Sequence, residues 1–203
     1  GLSESMLGGG GYQSVSPEES PHNNYWELSW SSKEAADAGW QEWAANEEAD
    51  AWGERYSKVL QCDGENRDGY DFIFPYDPYA FGPSPEDGSF AASFSPCTLN
   101  EGMDQEDLSN ALIKYNEWLD GIDQSAVSGF YAYGVYFPKD SSAEEDFWFG
   151  NFHENLETMN EGNSLWEATG GDVKIQLEAA STCGIPEVSN GQVFYDPTKP
   201  DFS

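Results

Sequence analysis

Apolar and polar positions alternate along some short stretches of the chain and recur at helical spacing along others. In residues 25–30, Trp26, Leu28 and Trp30 alternate with Glu27 and Ser29, the pattern of a half-buried strand. Further strands are predicted at 70–74, closed by Pro75, at 90–96 ahead of Cys97, at 130–137, stopped by Pro138, and at 147–152. Helical spacing is clearest over 104–120, where Leu108, Ala111, Leu112, Tyr115 and Leu119 form one apolar stripe. Two more helical stretches cover 33–46, with Trp40 and Trp43 on one face, and 47–60, with Trp52, Tyr56, Val59 and Leu60 on one side. Ser31 and Glu34 have the S-x-x-E spacing of a capping box, which satisfies two free helix N–H groups.

These parts recur. Residues 147–152 mirror 25–30 at an offset of 122; Trp52, Tyr56 and Cys62 match Val173, Leu177 and Cys183 at 121; Tyr76-Asp77-Pro78 matches Tyr195-Asp196-Pro197 at 119. The shared order of strand, two helical stretches, cysteine, turn and strand predicts an internal repeat. It also predicts helix for 172–180, which alone could be a strand, because its partner 49–60 has helical spacing. Residues 90–197 then read β-α-β-β-α-α-β, a complete ferredoxin-like unit, whereas 25–78 supply only its second half. The expected fold is therefore α+β, with tandem ferredoxin-like units of which the first is incomplete, pairing as a pseudo-dimeric α+β barrel. The expected domains are a flexible N-terminal segment (1–24), the half unit (25–78), a proline-rich linker (79–89) and the complete unit (90–203). The missing half implies a start upstream of Gly1, or a partner chain that completes the sheet.

Composition narrows the function. The 203 residues carry 38 Asp+Glu against 8 Lys+Arg, a net charge of −30. Such a chain will not neutralise nucleic-acid phosphates or bind an anionic membrane surface. No apolar run approaches the ~20 residues that a membrane-spanning helix needs. Eight Trp, 11 Tyr and 12 Phe argue against acidic disorder. The acidity suits a salty medium, where screening over about 8–10 Å weakens self-repulsion. Three cysteines, Cys62, Cys97 and Cys183, show no C-x-x-C pair, so zinc and thioredoxin-like chemistry have no motif. An odd count leaves one unpaired if two join in an oxidising compartment, and three buried thiols are the other reading. No calcium-loop pattern is present, and no metal site or cofactor is expected.

The segment Cys97-Thr98-Leu99-Asn100-Glu101-Gly102, the helix over 104–120, the aromatic strand over 147–152 and the helix ending at Thr182-Cys183 resemble a group of uncharacterised secreted proteins of marine bacteria. Those in turn resemble the dimeric α+β barrel superfamily, which includes antibiotic-biosynthesis monooxygenase-like domains. The resemblance implies a Cys97–Cys183 disulfide and a secreted or periplasmic location. Cys62, the repeat partner of Cys183, would then pair outside this chain. It also implies an activity site between sheet and helices, in which Asn, Trp or His bind an aromatic substrate.

His153, Asn151 and Tyr133 are the candidate catalytic residues, with Trp148 and Trp166 lining the interior. Glu154 and Glu157 would raise the pKa of His153, although a histidine at a helix start also suits a plain surface position. Trp30, Trp40, Trp43 and Trp148 are the candidate ligand or partner surface. No Ser-His-Asp or Cys-His arrangement can be built from two histidines. The leading expectation is a non-catalytic binding or assembly module, acting through a protein partner or self-association. The alternatives are a cofactor-independent monooxygenase-like enzyme with an aromatic-lined cavity, and a surface component of a virion or extracellular filament.

Overall fold

The computed structural model describes residues 5–18, 22–62, 64, 67–123 and 127–198. In chain order the elements are β1 (Met6–Ser14), β2 (Asn24–Trp30), α1 (Lys33–Ala44), α2 (Glu47–Tyr56), β3 (Tyr70–Ile73), β4 (Ser89–Leu99), α3 (Gln105–Asp120), β5 (Tyr131–Pro138), β6 (Phe147–His153), α4 (Leu156–Thr169), α5 (Gly171–Ala180), β7 (Ser181–Cys183) and β8 (Glu187–Tyr195). They fall into two compact units, one of residues 12–24 and 68–192, the other of 1–11, 25–67 and 193–203.

The larger unit has the element order predicted for residues 90–197, with β7 added after α5. Its strands are hydrogen-bonded in the order β8-β4-β6-β5-β3, with β7 also on β4, and every pair is antiparallel. β3 pairs with β5, so this strand, expected to close the half unit 25–78, belongs to the larger unit.

α3 begins where Asp104 accepts from the N–H groups of Glu106 and Asp107, at 2.8 and 3.2 Å. Asp107 accepts in return from the Asp104 N–H at 3.0 Å, a complete capping box. The helix buries Leu108, Ala111, Leu112, Tyr115 and Leu119, the stripe that the spacing predicts. α4 is capped in the same way by Asn155 and Thr158. The 172–180 segment is helical, as its repeat partner implies, but the helix stops at Ala180. Ser181–Cys183 turn into a strand on β4, in which Cys183 lies opposite Cys97. These two cysteines form a disulfide across a sequence separation of 86.

Register decides which side chains meet. Asn151 lies between Ser93 on β4 and Tyr133 on β5, and His153 between Ala91 and Tyr131. Because side chains alternate across a strand, Tyr131, Tyr133, Val135, Phe147, Phe149, Asn151 and His153 face the helices. Tyr133, Val135 and Phe147 join Leu108, Leu112, Tyr115 and Leu119 in one core. The opposite face carries a second core of Tyr12, Ala92, Ala132, Tyr136 and Phe152.

In the smaller unit β1 lies between β2 and β8. The expectation of a loop over 1–24 thus fails for Met6–Ser14. Its four glycines mask the strand in the sequence, and ladder hydrogen bonds supply the order that side chains do not. The first turn of α1 is capped by Ser32, whose hydroxyl accepts from the Ala35 N–H at 3.1 Å. That is one residue later than the Ser31–Glu34 box expected. Gly39 is buried on α1 because Trp30 packs against it: a Cβ there would come within 2.2 Å of the indole. No helix among the described residues is long and apolar enough to cross a membrane.

A candidate aromatic cavity between sheet and helices

A cavity of about 230 Å³ opens between the helix-facing side of the larger unit's sheet and helices α3, α4 and α5. Its floor is the outward alternation of the strands: Ser95 from β4, Tyr131 from β5, and Phe147, Phe149, Asn151 and His153 from β6. α3 contributes Leu108, Tyr115, Trp118 and Leu119, and α4 contributes Thr158, Gly162, Leu165 and Trp166. Cys183 of the disulfide and Phe81 also reach it.

The polar groups form an ordered chain. The Tyr131 hydroxyl donates to Asn151 Oδ1 at 2.9 Å. The hydroxyls of Tyr115 and Tyr131 lie 2.6 Å apart. The single Tyr131 proton is directed at Asn151, so Tyr115 donates to Tyr131. Hydrogen bonds in series polarise one another, which leaves the Asn151 Nδ2–H₂ as a strengthened donor on the cavity wall. Burial pushes the Tyr115 pKa up to about 12 and that of Tyr131 well above its usual value. Both phenols therefore stay protonated and serve as fixed donors.

His153 is 6% exposed, not the surface histidine of a helix start. The expectation of a pKa raised by Glu154 and Glu157 is reversed: burial lowers it to about 4. No described residue hydrogen-bonds its ring nitrogens, and its ring lies 4.9 Å from that of Tyr131. α4 can approach it because position 162 is glycine; a Cβ there would fall 2.9 Å from His153 Cε1. The imidazole is thus neutral across the physiological range, with proton-accepting capacity beside the cavity.

The other expected residues divide. Tyr133 sits beside this arrangement, in the core under α3. Its hydroxyl donates to Asn116 Oδ1 at 2.5 Å, its ring stacks on Phe149 at 5.2 Å, and it does not line the cavity. Trp148 is on the opposite face of the sheet, next to the second core, where its indole N–H donates to Glu145 at 2.8 Å. Alternation along β6 excludes it from a wall shared by Phe147, Phe149 and Asn151. Trp166 does line the cavity, edge-on to Tyr115 at 5.3 Å.

Trp30, Trp40 and Trp43 lie in the smaller unit, each against different partners. Trp30 packs on Gly39, and Trp40 is covered by the Arg67 guanidinium at 4.2 Å. Trp43 meets Trp52 at 6.3 Å, and Trp52 meets Trp26 at 6.0 Å. Cys62 is exposed and unpaired. Among the described residues no three His, Cys, Asp or Glu side chains group as metal ligands.

Sequence reasoning missed Tyr131, Tyr115 as a polar group, Trp118 and Phe81. Tyr131 had a signal: it stands two residues before Tyr133, hence on the same strand face. Phe81 had none, because it lies in the 79–89 segment expected as a linker. That segment carries neither helix nor strand at 79–88, yet Phe81 packs on Tyr131 at 5.7 Å.

No protein-family model matches the chain, and no curated protein matches its sequence. Among solved structures it is similar to two proteins described as "putative monooxygenase". One, from Lactobacillus acidophilus NCFM, is 14% identical with a TM-score of 0.52, covering 94% of this chain and 78% of that one. The other, from Fusobacterium nucleatum subsp. nucleatum, is 12% identical with a TM-score of 0.50, covering 96% and 78%. At that identity the likeness concerns the fold alone: the chain shares with these two structures an α+β fold, here an antiparallel sheet with helices packed on it.

Proposed function

We propose that this chain is a cofactor-independent oxygenase of small planar phenols, with the sheet–helix cavity as its site. The observation that carries this reading is the buried neutral His153 beside Asn151 in an aromatic-walled cavity. A space of about 230 Å³ exceeds the ~150 Å³ that holds benzene and suits one or two rings. Trp118 and Trp166 supply planar surfaces for such rings. The phenol O–H donates to His153, which takes the proton as the ring is oxidised by O₂, and Asn151 Nδ2 donates to the phenolic oxygen. Oxygen joins the ring at the para carbon, and the resulting peroxide loses water. Phenol plus O₂ becomes para-quinone plus water, with one oxygen atom in the new carbonyl and the other in the water.

The neighbours' printed names support the reaction class. The disulfide supports a secreted or periplasmic location. The order β-α-α-β in 24–73, which recurs in 147–195 with the short β7 inserted before the last strand, supports tandem units that arose by repetition.

The test is oxygen uptake with 1-naphthol and a panel of one-ring phenols, with products identified by mass spectrometry. Uptake coupled to quinone formation, reduced at least about 100-fold in His153→Gln, is expected. Uptake that is the same with and without the protein removes the oxygenase reading. A second reading, a non-catalytic binding or assembly module, is favoured by exposed aromatics in the smaller unit, where Trp26 is 49% and Trp43 43% exposed. Tight binding of naphthol without oxygen uptake is the result that selects it.

A further inference from the structure

The chain carries a net charge of −30, yet no described residue lining the cavity is Asp, Glu, Lys or Arg. Its polar groups are all neutral: hydroxyls, among them those of Tyr115 and Tyr131, the amides of Asn151 and Asn163, and the ring of His153. Acidic side chains crowd the surface but none is among the lining residues, so a ligand in this space meets no charged side chain on its wall. We infer that the cavity takes only ligands that arrive uncharged, a neutral one- or two-ring aromatic with a hydrogen-bonding hydroxyl, and excludes their carboxylated and aminated analogues. This deepens the reading of the cavity as a ligand site and rests on it.

The physical reason is desolvation. A carboxylate brought into this space loses its water and meets only neutral donors, at a cost that hydrogen bonds to Asn151 Nδ2 and the phenols do not offset. An ammonium ligand finds no counter-charge on the wall and is likewise left unpaired. A neutral hydroxyl matches what is present: it accepts from Asn151 Nδ2 and donates to a ring nitrogen of His153. The hydroxyl thus binds through hydrogen bonds alone, and no charge is carried into the cavity.

Equilibrium dialysis of the whole chain at pH 7 against 1-naphthol, 1-naphthoate and 1-naphthylmethylammonium tests this. The three share one ring system and differ in charge. Naphthol is expected to bind roughly 100-fold or more tightly than either ion. The margin over naphthoate should persist at about 1 M NaCl, where the screening length is only ~3 Å. Asn151→Leu should weaken naphthol about tenfold.

Equal binding of naphthoate, no binding of any of the three, loss of the margin in salt, or naphthol binding unchanged in Asn151→Leu would each overturn the inference. Selective binding without oxygen uptake leaves it standing and removes the oxygenase. Uptake with equal affinity for naphthoate does the reverse.

Discussion

The hydroxyl of Tyr131 donates to Asn151 Oδ1 at 2.9 Å, joining β5 to β6 through side chains on the wall of the cavity. The bond orients the Asn151 amide so that its Nδ2 is the end left for a ligand. Tyr131→Phe removes the donor and leaves a buried carbonyl short of a partner. The expected result is a loss of about 1–2 kcal/mol in urea unfolding, with naphthol affinity lowered about tenfold because the amide is free to turn. Unchanged affinity would show that the amide is held by packing alone.

His153 gives a pH dependence whose direction follows from its burial. In the unfolded chain it titrates near 6.5 and in the folded chain at about 4. Between these values the unfolded state binds the extra proton, so stability falls as pH drops from 6.5 and levels off below 4, by about 3 kcal/mol over the full window. His153→Phe lacks this dependence, and the difference between the two unfolding curves against pH isolates it from the carboxylates. If His153 is the base, kcat/KM holds from neutral pH down to about 4, and an activity midpoint near 6.5 would remove it from that role.

The Cys97–Cys183 bridge closes 86 residues of chain. Replacing both cysteines by alanine is expected to lower stability by about 4 kcal/mol, chiefly through the unfolded state. Chemical denaturation of the double variant reads this directly. A change under about 1 kcal/mol would mean that the unfolded chain is already restricted without the bond.

Gly39 and Trp30 make a prediction in the smaller unit. Gly39→Val puts two methyl groups where the indole now lies, and a loss of about 1–3 kcal/mol is expected. Tryptophan fluorescence should shift as Trp30 is displaced. Trp30→Ala in the same background should recover part of the loss, which a defect of helix propensity alone would not show.

Charge repulsion predicts a salt response. The ion pairs Lys33–Asp37, Lys114–Glu117, Lys139–Asp71 and Lys174–Glu167 are all exposed and contribute little, while 38 acidic residues face 8 basic ones. Raising NaCl from about 0.05 to 1 M is expected to raise Tm by about 4 °C. A fall in Tm would indicate that the ion pairs outweigh the repulsion.

Helices were legible where one apolar face stands out against polar neighbours. Leu108, Leu112, Tyr115 and Leu119 mark α3 because most of the intervening positions, such as Ser109, Asn110, Lys114, Asn116 and Glu117, are polar. β6 was legible as a strand, but its faces were not. Phe147, Trp148, Phe149 and Phe152 are aromatic on both sides, since both sheet faces are covered, so the sequence offers no contrast to place Trp148. β1 was hidden for the opposite reason: glycines have no side chains to alternate. The repeat correctly predicted helix at 172–180, yet β3 pairs with β5 because strand partners are chosen by hydrogen-bond register, which the local pattern does not encode.

The sequence by itself determined the order of the elements from β4 to α5, the helix stripe, the presence of His153 and Asn151 on one strand two residues apart, and the acidity. Those follow from periodicity and composition, which are local or additive. Tertiary structure decided that Tyr131 and Tyr115 complete the polar chain, that Phe81 reaches the cavity, and that burial lowers the pKa of His153 where its acidic sequence neighbours suggested a rise. Each of these depends on what surrounds a group in space. Desolvation acts through packed atoms that are distant along the chain, and only the fold brings those atoms together.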